Sequence, residues 1–388
     1  MKKRSLIALL AALLMFALAT TACSEADEAE EDEGEAASQD DADDADDDEG
    51  DDDGELVSIT LGLAPFQDTL LPMLGNEFGW YEEVGLDVEL VTLEWGAIVP
   101  AVAAGEVDVA VNNTTGVVTA AHRQPELIYW YGWNPFTEGA ALMANPDSGL
   151  RSVEDFEGDG LEADEARDAA IEQLEGATIV TTMGTDMGKN VIAALDSVGM
   201  GLDDVDIVDM DPDQGLAAFL SGTGDAFLGG IPQRTRATEE GNLVVASGPQ
   251  LTAPPINGFL TTMSYAEENE DSLLLMLDVV FRIVDHCNDN TIECGEIITE
   301  SLNSQTGSNL TPEDFAEVWQ GWEDFAAGPD EVEEWILTEG GFAYWRETWE
   351  TDNEFLFEVT EEIPEPADPD VHFWGERVQE AYLEKFGG

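Results

Sequence analysis

Strand-like runs recur along this chain, each followed within a few residues by a helix-like run. That alternation restricts the fold more than any other feature. Val57 to Leu63 alternates with the two-residue period of a strand. Asp68 to Tyr81 reads as a helix, Gly85 to Val91 as a second strand, and Ala97 to Ala104 as a helix that Gly105 breaks. Val107 to Val111 gives a third strand, Thr115 to His122 starts a helix, and Leu127 to Trp133 gives a fourth strand. A second set runs through the strand Ala177 to Thr182, the helix Met187 to Ser197 and the strand Asp206 to Met210. It continues with the helix Gly215 to Leu220 and the strand Asp225 to Leu228, and closes at Val244 to Ala246. After one more strand, Gly258 to Met263, the chain turns helical over Tyr265 to Cys287 and Thr311 to Phe325. Such alternation predicts an α/β fold of two units, each a mostly parallel sheet flanked by helices, with a helical C-terminal region. The acidic stretch between Gly158 and Gly176 reads as a surface insertion with one exposed helix, Ala163 to Leu174.

Charge decides what such a fold can meet. The 388 residues carry 86 acidic and 13 basic side chains, a formal charge of −73. Residues 24–55 hold 20 acids and no base, and residues 56–388 hold 66 acids against 10 bases. A nucleic-acid binder needs Lys and Arg to displace counterions from phosphates, so that class is excluded. Charge-driven docking on an anionic lipid surface is excluded for the same reason. With 43% hydrophobic residues and ten Trp, wholesale disorder is excluded as well. Acidity throughout the body, with four lysines in all, implies a chain suited to strong salt, where the Debye length shrinks to about 3 Å at 1 M. A soluble acidic protein without that adaptation is the alternative.

Lys2, Lys3 and Arg4 precede an uncharged apolar run from Leu6 to Ala19. This is the layout of an export signal, and it is short for a membrane span of about 20 residues. Small residues lead directly into Cys23, which resembles a bacterial lipobox. Residues 1–22 are therefore expected to be a signal peptide and Cys23 the lipidated first residue, with ordinary cleavage nearby as the alternative. Residues 23–55 then form an acidic tether extended by its own repulsion. Cys287 and Cys294 are the other cysteines. In an exported chain the pair reads as a short-loop disulfide. A metal would need more ligands than these two and nearby His286, so no metal site is expected.

Several segments carry a family resemblance. Phe78-Gly79-Trp80-Tyr81-Glu82-Glu83-Val84-Gly85-Leu86-Asp87-Val88-Glu89-Leu90 and Ala101-Val102-Ala103-Ala104-Gly105-Glu106-Val107-Asp108-Val109-Ala110 are two of them. Asp155-Phe156-Glu157-Gly158 and Ala217-Ala218-Phe219-Leu220-Ser221-Gly222-Thr223-Gly224-Asp225-Ala226-Phe227 follow. In this order and spacing they resemble the ABC-transporter substrate-binding proteins of the nitrate, sulfonate, taurine and thiamine-precursor type. The resemblance covers about residues 57–260. It implies a two-lobed venus-flytrap fold, the type II periplasmic-binding-protein architecture. Lobe one would be residues 56–145 plus 252–388, and lobe two 146–251, with crossings near Met143 to Asn145 and Pro254 to Asn257. It further implies a monomeric receptor on the outer face of the cell membrane that captures a small-molecule solute. Its partners would be an ABC permease and its ATPase, with membrane contact through the lipid anchor only, no cofactor and no nucleic acid.

Ligands of open α/β sheets sit beyond the carboxyl ends of the strands. That rule picks positions without the resemblance. Phe66, Gln67 and Asp68 follow the first strand, Trp95 the second, Asn113 and Thr114 the third, and Trp133 ends the fourth. Gly184, Thr185 and Asp186 stand between a strand and a helix, where free backbone amides could hold an acceptor group. Thr185 or Asp186 could equally cap that helix. Gln233 and Arg234 follow a later strand. Trp95 and Trp133 could be core residues, and Arg234 could pair with surrounding acids. Aromatic rings and amides favour an aromatic, heterocyclic or cationic solute, and the acidic field favours a neutral or cationic one. This chain has Ala64-Pro65-Phe66-Gln67 where the thiamine-precursor branch has D-W-x-P-N, and Gly230-Ile231-Pro232 where the sulfonate branch often has W-D-P. The solute therefore stays open.

No Walker phosphate loop, His-Glu-x-x-His or Gly-x-Ser-x-Gly occurs in the sequence. His122, His286 and His372 read as surface or packing residues. Asp209-x-Asp211-x-Asp213 has the start of a calcium loop but carries Gln214 and Leu220 where Gly and Glu are required, so it reads as a turn. No catalytic residue is expected. A ligand-sensing domain reporting to a membrane partner is the alternative function, and an extracellular enzyme on the same fold a weaker one.

Overall fold

The structure, a computed structural model, describes residues 56–252 and 254–387. The expected export signal, Cys23 and the acidic tether lie outside those residues. In chain order the strands are β1 (Val57–Leu63), β2 (Leu86–Thr92), β3 (Val109–Asn113), β4 (Leu127–Pro135), β5 (Ala141–Ala144), β6 (Thr178–Thr181), β7 (Asp206–Asp209), β8 (Ala226–Gly229), β9 (Leu243–Ser247) and β10 (Ile256–Thr262). They form two five-stranded sheets, ordered β2-β1-β3-β10-β4 and β7-β6-β8-β5-β9.

Each sheet is mixed rather than purely parallel. In the first, β1 pairs parallel with β2 and β3, while β10 runs antiparallel between β3 and β4. This reversal sets Asn257, at the start of β10, opposite Asn113 and Asn134 at the carboxyl ends of β3 and β4. In the second sheet β5 runs antiparallel to both β8 and β9. Met143 pairs with Phe227 inside that sheet. The chain thus crosses between the sheets after Pro135 and before Ala141, earlier than the expected Met143 to Asn145. All four residues of β5 are buried. A strand buried on both faces has no polar alternation to mark it.

Helices α1 (Ile98–Ala104), α2 (Thr114–Ala120), α3 (Asp186–Ser197) and α4 (Pro212–Leu220) follow β2, β3, β6 and β7. The helix expected over Asp68 to Tyr81 is instead three short turns, Leu71–Met73, Leu74–Glu77 and Trp80–Glu83. Gly79, at φ 71°, interrupts them in the left-handed conformation that ends helices. The C-terminal region holds α5 (Glu270–Asp289), α6 (Thr291–Thr306), α7 (Pro312–Gly321), α8 (Trp345–Asn353) and α9 (Gly375–Phe386). A disulfide between Cys287 and Cys294 joins α5 to α6.

This region packs on the first sheet. Phe373 stacks on Trp345 with ring centroids 3.7 Å apart and on Tyr129 at 5.6 Å. Tyr131 donates to Gln379 Oε1 at 2.5 Å. One continuous cluster of buried apolar side chains runs through both sheets and the C-terminal helices.

Candidate functional site

The loops after β1, β2 and β3 meet the amino end of α3. Phe66, Asp68, Trp95, Asn113, Phe136 and Asn257 from the first-sheet side, with Asp186, Met187 and Gly230 from the second, line a cavity of about 20 Å³. A larger cavity of about 310 Å³ shares Trp95, Asn113 and Asp186 with it. Gly116, Arg123, Gly184 and Thr185 are among its further walls. The first cavity has room for little more than one water, and the second reaches the lower end of small-ligand pockets.

Local chemistry fixes these walls. Asn113 caps α2, its side chain accepting from the Gly116 amide at 3.3 Å. A Cβ on Gly116 would meet Asn112 Oδ1 at 2.1 Å, so only glycine allows this turn without a shift. Thr185 caps α3, accepting from the Met187 amide at 3.3 Å and donating to the Thr182 carbonyl at 2.8 Å. Capping and cavity lining coexist at Thr185, so the two readings of this residue are not exclusive.

Polar links join the two halves. Trp95 Nε1 donates to Asp186 Oδ1 at 3.0 Å, and the Phe66 ring meets Trp95 edge-on at 5.4 Å. Lys189 on α3 pairs with Asp352 on α8 at 2.5 Å, with both side chains almost fully buried. Thr115 donates to the same carboxylate at 3.0 and 3.2 Å.

The carboxylates beside the small cavity are crowded. Asn257 Nδ2 donates to Asp68 Oδ2 at 2.5 Å and to Asn134 Oδ1 at 2.9 Å. Burial, aided by the charge of Asp186, pushes the Asp68 carboxyl up to about 7. Burial also raises Asp186, against the hydrogen bonds from Asn113 and Trp95 and the Lys189 charge. Glu323 is only 6% exposed. Its two oxygens have no hydrogen-bond partner among the described residues. Burial, then Asp68 and Asp324, holds it well above the usual carboxylate range.

Residues 52–297 match the model of the NMT1-like family. The chain belongs to that family. Among curated proteins no sequence matches significantly. Solved structures with the same fold include the periplasmic aliphatic sulphonate binding protein SsuA of Escherichia coli, at 15% identity and TM-score 0.61, covering 84% of this chain and 99% of that one. The alkanesulfonate-binding protein SsuA of Xanthomonas axonopodis, bound to MOPS, gives 15% identity and TM-score 0.63, covering 83% and 99%. The periplasmic nitrate-binding protein NrtA of Synechocystis gives 16% identity and TM-score 0.61, covering 86% and 89%. The two-lobed α/β fold of periplasmic binding proteins is therefore the fold of this NMT1-like chain.

The NMT1-like fold gathers seven of the sequence-derived positions around the two cavities: Phe66, Asp68, Trp95, Asn113, Gly184, Thr185 and Asp186. The other five line neither of these two cavities. Gln67 donates to the Phe315 carbonyl at 3.3 Å. Thr114 is fully buried at the start of α2. Trp133 packs on Phe259 with centroids 4.4 Å apart. Gln233 donates to Asp213 at 2.7 Å. Arg234 lies over the Trp322 ring and donates to the Glu138 carbonyl, and the charge of the Glu138 carboxylate also acts on it. Phe136, Asn257 and Glu323 were not expected. Asn257 begins an antiparallel strand, so the rule of carboxyl ends passes over it. Glu323 sits between α7 and α8 with no sequence signal beyond its neighbours Trp322 and Asp324.

Proposed function

We propose that this NMT1-like protein captures a small organic solute between its two lobes and hands it to an ABC importer, with no chemistry of its own. One observation carries the reading: the two cavities have walls from both sheets, joined by the Trp95 to Asp186 hydrogen bond. Ligand sites between lobes that close over a solute have this construction. The structural neighbours named as sulfonate- and nitrate-binding proteins support the same class.

In this reading lobe one is the first sheet with the C-terminal helices, and lobe two is the second sheet. Solute lands on Phe66, Asp68, Trp95 and Asn113. Closure brings Gly184, Thr185 and Asp186 against it, and the closed shape docks on the permease. Lipidated Cys23 and the acidic tether hold this receptor at the outer face of the cell membrane as a monomer.

The test is mass spectrometry of small molecules released on denaturing the purified full chain, followed by titration of the identified solute. Trp95→Ala with Thr185→Ala should weaken its affinity at least about tenfold, a loss of about 1.4 kcal/mol. Unchanged affinity would place the site elsewhere. For the anchor, Cys23→Ala should move the protein to the soluble fraction, and continued membrane association would refute lipidation there.

A further inference from the structure

The small cavity between the lobes is lined by two carboxylates and by no base. Asp68 and Asp186 both line the small cavity, and Asp186 lines the large one as well. Glu323 lies close enough to feel the charge of Asp68. Its oxygens are buried and unpartnered among the described residues. The charges acting on Asp68 and Glu323 are other acids. Lys189 does act on Asp186. Its ammonium, however, is paired with Asp352 at 2.5 Å and lines neither cavity. Arg123, exposed, belongs to the large cavity and not to the small one.

A buried carboxylate is costly unless it is paired or protonated. The other walls of the small cavity show what kind of partner fits. Phe66, Trp95 and Phe136 present three aromatic rings. Ring faces attract ammonium groups, more strongly where water is excluded. A bare metal ion is disfavoured on ligand count, since no three His, Cys, Asp or Glu side chains among the described residues converge as a metal site requires. An oxyanion there would face Asp68 and Asp186.

We infer that the solute is an organic cation, its charged nitrogen held by Asp68 and Asp186 among Phe66, Trp95 and Phe136, and its remaining bulk in the larger cavity. This rests on the solute-receptor reading above and names its ligand class. The positive charge takes the place that a base of the chain would otherwise have to fill.

The test uses the purified full chain at one fixed, high ionic strength and a matched set of probes: benzylammonium, benzyl alcohol and benzenesulfonate, with tetramethylammonium as a second cation. Affinity is read by calorimetric titration and thermal shift. Benzylammonium should bind at least about tenfold more tightly than benzyl alcohol, and benzenesulfonate should not bind. Asp68→Asn should remove that preference. This replacement keeps the side-chain shape and removes a cavity carboxylate, and folding is confirmed by circular dichroism. The cation class is overturned if benzyl alcohol or benzenesulfonate binds as tightly as benzylammonium, or if neither cation binds. In those cases the receptor reading stands or falls on the solute extracted from the protein. Cation binding that survives Asp68→Asn and Trp95→Ala unchanged overturns the shared site itself.

Discussion

Asp68 holds the most information of any single side chain here. Its carboxyl ordinarily titrates near 3.8, and burial beside Asp186 raises it to about 7 in the folded chain. The unfolded chain loses this proton near pH 4 while the folded chain keeps it up to about 7. Stability from this group is therefore present below about pH 4 and falls as pH rises to about 7. Asp186 and Glu323, which face it, shift in the same direction, and Asn257 is its neutral partner. Denaturant midpoints of the ligand-free protein should decline across that window at constant salt, and Asp68→Asn should flatten the decline. A wild-type slope in the variant would show that other acids carry it. A bound cation has the opposite preference, since it favours the ionised carboxylate. Benzylammonium affinity should rise between about pH 5 and pH 7 with release of protons, measurable by titration in buffers of different ionisation enthalpy. Composition and strand ends were enough to nominate Asp68, Trp95 and Asp186. Nothing local could nominate Glu323, whose role depends on a neighbour about 255 residues earlier in the chain.

Among the elements, α3 does two jobs. Its first turn faces the cavities through Thr185 and Asp186, and one turn later Lys189 reaches Asp352 on α8. Removing one partner of a buried ion pair strands the other, at a cost of about 3–5 kcal/mol. Lys189→Met should lower the unfolding midpoint strongly, and adding Asp352→Leu should recover much of the loss. A double variant no better than the single one would mean that packing, not charge, dominates there. β10 gives a second case. A Cβ on Gly258 would come within 2.1 Å of the Tyr131 carbonyl oxygen, backbone that cannot step aside. Gly258→Ala should cost about 1–3 kcal/mol or more, visible as a lower thermal midpoint. The alternating strands β1 and β2 and the helices that follow β2, β3 and β6 could be read from period alone. The direction of β10 and the existence of β5 could not. Pairing direction leaves no trace in a local pattern, and β5 is four apolar residues with no polar face.

At the scale of the molecule, self-repulsion is the governing term. The body carries 66 acids against 10 bases, and the few guanidinium groups are partly engaged by aromatic rings, as Arg282 is over Trp80 and Arg377 over Trp374. Adaptation to strong salt follows as a proposal: the unfolding midpoint should rise steadily from about 0.1 M to about 3 M NaCl as screening shortens. A flat profile would assign the acidity to solubility alone. Two-lobed α/β architecture was legible because it rests on the order of many weak signals. The polar links between lobes were not, because each joins residues distant in the chain. One feature of the first sheet reaches further still. β4 ends at Pro135 directly opposite Ile256, where β10 begins, and the whole second sheet lies between them in sequence. A two-residue turn at that point would close β4 and β10 into an ordinary hairpin. The second lobe is, in genetic terms, a cassette spliced into a hairpin tip. Recombination at that one place could exchange half of the binding cleft without rethreading the other half.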